Sequence, residues 1–133
     1  MNNKVLIVSA NYYKEISKNL ELGATHALNE SGYEYEIINA PGCFEIPYLI
    51  KKNINNFKGF ISLGCIIKGD TYHFEVIANE TSRKIMDLSI EFNVAIGFGI
   101  LTCYDLEQAI IRSDIKQKNK GQEAALACIQ LLK

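Results

Sequence analysis

Apolar residues recur in this chain with two different periods that take turns along its length, and this alternation leaves few folds open. Residues 5–8 (VLIV) form a short, continuous apolar run. Across residues 14–30, Ile16, Leu20, Gly23, Ala24, Ala27 and Leu28 share one face of a helix, which Ser31-Gly32 ends. Residues 33–38 alternate in part, and Pro41-Gly42 then turns the chain into a second helical stretch that the pattern carries to near Phe57. Residues 60–67 are again apolar, and Phe74, Ile77, Ala78, Thr81, Ile85 and Leu88 mark a third helix. Residues 94–101 give a fourth strand, and residues 105–112 and 121–132 two closing helices. The predicted order is βαβαβαβαα.

Such alternation specifies a parallel sheet with helices on both faces, joined by right-handed crossovers: an α/β fold, a three-layer α/β/α sandwich. The first and third strands are continuously apolar and belong in the centre, whereas the partly alternating second strand suits an edge. The order 2-1-3-4 satisfies both and leaves the fourth strand on the other edge. That strand (VAIGFGIL) is as apolar as the central ones, so a neighbouring subunit is the simplest cover for it. With 133 residues, 48% of them hydrophobic, the chain is expected to fold as one domain over residues 1–133. A formal net charge of −1 without a long basic run argues against capture by nucleic acid or a membrane surface, and points to a small-molecule partner. The apolar stretches are too short for a transmembrane segment, and the one at the N-terminus too short for a secretory signal, so a cytoplasmic location is expected. Cys43, Cys65, Cys103 and Cys128 are scattered without metal-ligand spacing and read as free, mostly buried thiols; no metal site is expected.

In an open parallel sheet, ligands bind beyond the carboxyl ends of the strands. The segments expected there are SANYY, PGCFEIP, KGDTYHFE and FGILTCYD, all at one end. Within them His73 heads the list, because an imidazole with an ordinary pKa near 6.5 suits general acid–base work; the alternative is a solvent-facing histidine at a helix start. Asp70 and Thr71 either cap that helix or, with Gly69, help to hold a phosphate, and capping is the simpler expectation. Glu45 falls where a helix begins, favoured by the helix dipole and able to accept hydrogen bonds from ligand hydroxyls. Phe44 suits the core better than a stacking surface. Arg112 closes a helix where a cation complements the dipole, and it and Lys120 are also candidates for a phosphate. Gly97-Phe98-Gly99 lacks the third glycine of a dinucleotide fingerprint, and no cofactor is expected.

The segments PGCFEIP, LGCIIKGDTYHFEVIANE, FGILTCYDLEQAIIRS and NKGQEAA, in this order and spacing, closely resemble the 6,7-dimethyl-8-ribityllumazine synthase family of riboflavin biosynthesis, over residues 4–133. The resemblance implies a flavodoxin-like lumazine synthase fold and a transferase. Its implied reaction joins 5-amino-6-(D-ribitylamino)uracil to 3,4-dihydroxy-2-butanone 4-phosphate, giving the lumazine, phosphate and water. It implies neither cofactor nor metal. By position, Tyr12 would stack on the pyrimidine, Cys43, Phe44 and Glu45 would line the ribityl chain, and Cys65, Ile66 and Ile67 would contact the pyrimidine. Asp70 and Thr71 fall at the phosphate-binding turn, His73 at the proton-transfer position, Phe98 at a second ring-packing position, and Arg112 at the phosphate anchor with Lys120 close by.

The resemblance further implies a homo-oligomer, a pentamer or a capsid of pentamers, with sites shared between subunits. The chain departs from the family pattern at Tyr12-Tyr13, where an aromatic is often followed by Asn, at Cys43 where Ala is common, and at Lys68 where Arg is common. Only Met1 to Asn3 precede the first strand, where many relatives carry an additional one. Among rival readings, a receiver-type module would need acidic residues clustered after the first strand, and Ser9-Ala10-Asn11 supplies none. An archaeal-type riboflavin synthase shares fold and ligand class, while a non-catalytic flavin- or lumazine-binding shell would have no need of His73, Arg112 and Glu45 together.

Overall fold

The computed structural model describes residues 3–133; the expectation about an extra N-terminal strand falls partly on Met1 and Asn2, outside the described residues. The elements run β1 (Lys4–Ala10), α1 (Lys14–Glu30), β2 (Glu34–Ala40), a single 3-10 turn (Cys43–Glu45), α2 (Ile46–Lys52), β3 (Gly59–Ile67), α3 (His73–Phe92), β4 (Ala95–Cys103), α4 (Leu106–Ser113) and α5 (Lys120–Leu132). All strand pairs are parallel and the sheet order is β2-β1-β3-β4, as the apolar patterns require. The second helical stretch is shorter than its pattern. It ends at Lys52, because Asn53 donates its side-chain amide to the Leu49 carbonyl and the chain continues through turns to Phe57.

Two apolar layers flank the sheet. On one face, Val5, Ile7, Ile61, Leu63 and Cys65 meet Leu20, Ala24 and Leu28 of α1 and Ala125, Cys128 and Ile129 of α5. On the other, Leu6, Val8, Phe60, Ile96 and Ile100 meet Ile46 and Ile50 of α2 and Ile85 and Leu88 of α3. Each such side chain taken fully out of water contributes about 1.5–3 kcal/mol. β1 and β3 are buried on both faces and β2 is largely exposed, so the central and edge assignments agree with the alternation rule. Where α1 crosses α5 the backbones touch: a methyl on Gly121 would run into the Leu20 carbonyl, so only glycine permits this approach.

β4 forms the other edge of the sheet. Its inward residues are covered, but Phe98 stays 45% exposed at mid-strand, beside exposed Met86 and Leu131. No helix among the described residues is long and apolar enough to cross a membrane.

Candidate functional site

The carboxyl ends of β1 and β3, the segment after β2 and the start of α3 enclose a cleft of about 320 Å³, lined by Ala10, Tyr12, Tyr13, Gly42, Cys43, Cys65, Ile66, Ile67, His73 and Ile77. This is within the size range of small-molecule sites, and it lies where an open parallel sheet places them. Of the residues singled out in the sequence, Tyr12, Cys43, Cys65, Ile66, Ile67 and His73 come together here.

Tyr12 is 76% exposed at the rim, with its ring held edge-on to Tyr13 at a centroid separation of 4.9 Å. Cys43 turns inward because β3 has no side chain at Gly64. A methyl there would stand 2.6 Å from the Cys43 sulfur. That sulfur also accepts a hydrogen bond from the Cys65 backbone N–H. Once Cys43 points in, the next residue of the 3-10 turn points out. Phe44 is therefore 60% exposed, which corrects the expectation of a core phenylalanine. Phe44 instead borders a separate groove between α2 and α3, with Pro47, Glu80, Thr81, Arg83 and Lys84. Glu45 is half-buried at the start of α2, next to Gly42 of the cleft wall.

His73 is the first residue of α3 and exposed. The cap expected from Asp70 and Thr71 is largely missing. Tyr72 occupies the N-cap position without a side-chain hydrogen bond, and the Thr71 hydroxyl accepts only a long one, 3.4 Å, from the His73 N–H. The turn 69–72 thus leaves its polar groups facing outward.

Burial raises the pKa of three of the cleft-lining side chains. It pushes the Cys43 thiol up to about 11, with the Glu45 carboxylate adding to the effect and the Cys65 N–H opposing it. It pushes Cys65 to about 12, reinforced by the neighbouring thiols of Cys103 and Cys43. The Tyr13 phenol is raised by burial and then by Cys65 and Tyr12. Protonated thiols are poor nucleophiles. Among the cleft-lining side chains, His73 carries the one imidazole.

Phe98, Arg112 and Lys120 stand outside the cleft. Phe98 lines another groove of about 390 Å³ on the β4 edge, with Ile85, Met86, Ile96 and Leu131. Arg112, half-buried in the last turn of α4, donates from Nη1 to the Gln108 carbonyl at 3.2 Å, and its charge works against burial at the Cys103 thiol. Lys120 opens α5 and pairs with Glu123 at 3.1 Å. Ile77 and Gly64 were missed as site-forming residues, and Tyr13 was weighed only as the alternative to Tyr12 for stacking. Ile77 was signalled by its position one helical turn after His73, and Tyr13 by its place beside Tyr12. Among the described residues, no group of three or more His, Cys, Asp or Glu side chains is placed to hold a metal ion.

The model of the 6,7-dimethyl-8-ribityllumazine synthase family matches residues 2–133. The 6,7-dimethyl-8-ribityllumazine synthase of Novosphingobium aromaticivorans is 46% identical over 131 residues, covering 97% of this chain and 94% of the relative. The synthases of Bartonella bacilliformis and Zymomonas mobilis are 44% and 42% identical, covering 100% and 96% of this chain and 92% and 93% of their own lengths. A match that runs through every strand end forming the cleft, at this identity and nearly end to end in both partners, shows that the chain belongs to the 6,7-dimethyl-8-ribityllumazine synthase family.

Proposed function

We propose that this protein condenses 5-amino-6-(D-ribitylamino)uracil with 3,4-dihydroxy-2-butanone 4-phosphate to 6,7-dimethyl-8-ribityllumazine, releasing phosphate and water, as a cytoplasmic homo-oligomer. The observation that carries the reading is the cleft itself: an aromatic rim at Tyr12, an apolar floor from β3, and one imidazole at a helix start beside an outward-facing polar turn.

In this reading the pyrimidine lies against Tyr12 and the end of β3, Cys65 to Ile67. The ribityl chain runs along Cys43, Phe44 and Glu45. The phosphate sits at the Asp70-Thr71 turn, with Arg112 as its anchor and Lys120 near it. The amine of the pyrimidine attacks the ketone and water leaves to give an imine; phosphate is then eliminated, and the resulting enol tautomerises and closes onto the ribityl-bearing nitrogen with loss of water. Each step moves a proton, and His73 is the group placed to carry it. Holding two flexible substrates in register supplies much of the acceleration. Anchoring a phosphate that later departs uses binding energy from a part of the substrate absent in the product.

Phe98 and Arg112 enter from the neighbouring chain of a ring, so each site is shared. The test follows the lumazine chromophore and phosphate release with both substrates. Rings assembled from equal amounts of His73→Ala and Arg112→Ala chains should rebuild about a quarter of the sites, because each half-site is intact with probability about one half. No lumazine from the unmutated protein refutes the activity. Mixed rings no more active than the two separate mutant pools refute the sharing.

A further inference from the structure

The turn between β3 and α3 is held at its two ends by backbone hydrogen bonds and across its base by one ion pair. On the strand side the Lys68 N–H donates to the Cys103 carbonyl at 2.9 Å, and on the helix side the Val76 N–H donates to the Tyr72 carbonyl at 3.2 Å. Inside the turn there is the long bond from the His73 N–H to the Thr71 hydroxyl. Among the described residues, the one side-chain bond that spans the turn joins Lys68 Nζ to Glu75 Oε2 at 3.0 Å. Lys68 is also set over the Phe74 ring, 6.0 Å from its centroid, and Phe74 rests on Tyr104 of the segment after β4, ring centroids 6.3 Å apart. The lysine is therefore directed to its partner by packing, on a stem that would otherwise sample many rotamers.

Stability does not explain the pair. Its side chains are 46% and 30% exposed, a setting in which ion pairs add little to folding. Glu75 moreover keeps its other oxygen, Oε1, out of contact with solvent and without a partner of ordinary hydrogen-bond geometry, a cost that an apolar residue would avoid. What the pair does accomplish is geometric: it fixes the distance between the strand end and the first helical turn, and so the path of Gly69, Asp70, Thr71 and Tyr72 leading into His73.

Resting on the reaction proposed above, we infer that Lys68 and Glu75 are positioning residues, a latch that holds the phosphate-binding turn and the His73 backbone in the orientation the reaction uses. Neither touches the reacting atoms. The hydrogen bond from Lys68 keeps the Glu75 carboxyl below the usual carboxylate range.

The test uses the full protein with Lys68→Met, Glu75→Gln and Lys68→Arg. Opening the latch should raise KM for the butanone phosphate roughly tenfold and lower kcat several-fold, with KM for the pyrimidine within about twofold of the original. Lys68→Arg, which keeps the ion pair, should retain both constants within about threefold. Amide hydrogen exchange at Lys68 and Val76, whose N–H groups are bonded at the two ends of the turn, should speed up about tenfold in the open variants while the melting temperature stays unchanged. Unchanged exchange at Lys68 and Val76, or equal weakening of both substrates, overturns the latch. If the unmutated protein makes no lumazine, the reaction assigned above fails, while the exchange measurement still decides whether the pair orders the turn.

Discussion

Replacing Gly64 by alanine tests how the fold makes room for the cleft wall. The new methyl would lie 2.6 Å from Cys43 Sγ, 3.4 Å from Ala10 Cβ and 3.8 Å from Ile46 Cδ1, where ordinary contact begins at 3.4 Å. The last two contacts are acceptable, whereas the sulfur is about 0.8 Å too close. Cys43 cannot yield by a simple rotation, because its sulfur is buried in the 3-10 turn and held by the Cys65 N–H. Overpacking of this kind costs about 1–3 kcal/mol, which for a chain of this size corresponds to a fall in Tm of roughly 3–10 °C. Cys43→Ala removes the obstructing atom, so adding Gly64→Ala to it should cost less than about 0.5 kcal/mol and can even stabilise by restricting the unfolded chain. The assay is urea unfolding of the original, the two single variants and the double variant, at one chain concentration so that assembly does not alter the comparison. A favourable coupling of at least about 1 kcal/mol is expected. Additivity within about 0.5 kcal/mol would show that the sulfur and residue 64 do not compete for the same space.

His73→Ala should reduce kcat on the order of a hundredfold with unfolding unchanged, and an unaltered kcat across the pH range would remove its proton-transfer role. Arg112→Ala should weaken the butanone phosphate and inhibition by free phosphate about tenfold or more, sparing the pyrimidine; equal weakening of both would remove the phosphate assignment. Cys43, Cys65 and Cys128 hold their protons up to about 11, about 12 and about 11, against an ordinary value of 9.0, because they are buried. The folded state thus binds these protons more tightly than the unfolded chain, so their contribution is full below about pH 9 and is lost as pH rises toward 11–12. Urea midpoints measured from pH 8 to 11 should fall, less steeply in Cys128→Ala, and a flat profile would contradict the burial argument.

Most of the fold was legible because burial on two faces and burial on one leave different marks. Continuous runs at β1 and β3 placed them centrally, and the partial alternation of β2 placed it at an edge. Errors arose where a single local contact overrides the pattern. Asn53 bonding back to Leu49 stops α2 five residues before its apolar pattern does. The inward turn of Cys43 depends on an absent side chain at Gly64, on a different strand, and no pattern around Phe44 reveals that this phenylalanine must then face outward. Strand ends converge by topology, which pointed to His73 and the Tyr12-Tyr13 segment, whereas a site role for Cys65 came only from the family resemblance; which of Tyr12 and Tyr13 stacks on the pyrimidine was left open, and both rings line the cleft.

The position of α3 explains why a single chain leaves the proposed site incomplete. Its first turns, through His73 and Ile77, form one wall of the cleft, while Ser82, Ile85, Met86 and Ser89 form the groove that holds Phe98. The helix therefore stands between Phe98 and the residues that Phe98 is proposed to complement. No rotamer of a strand residue carries it around a helix of about 10 Å diameter, so Phe98 does not reach the cleft of its own chain. The same edge of β4 leaves Phe98, Met86 and Leu131 in water, a cost that packing against the next subunit would remove. In the proposed ring, the contact that relieves the exposed edge would also be the contact that brings a second ring to the pyrimidine. In this reading assembly and catalysis depend on the same surface, and a substitution such as Phe98→Asp should abolish both together, measured as loss of the oligomer in sedimentation and loss of lumazine formation. Persistence of the oligomer with full activity would separate them.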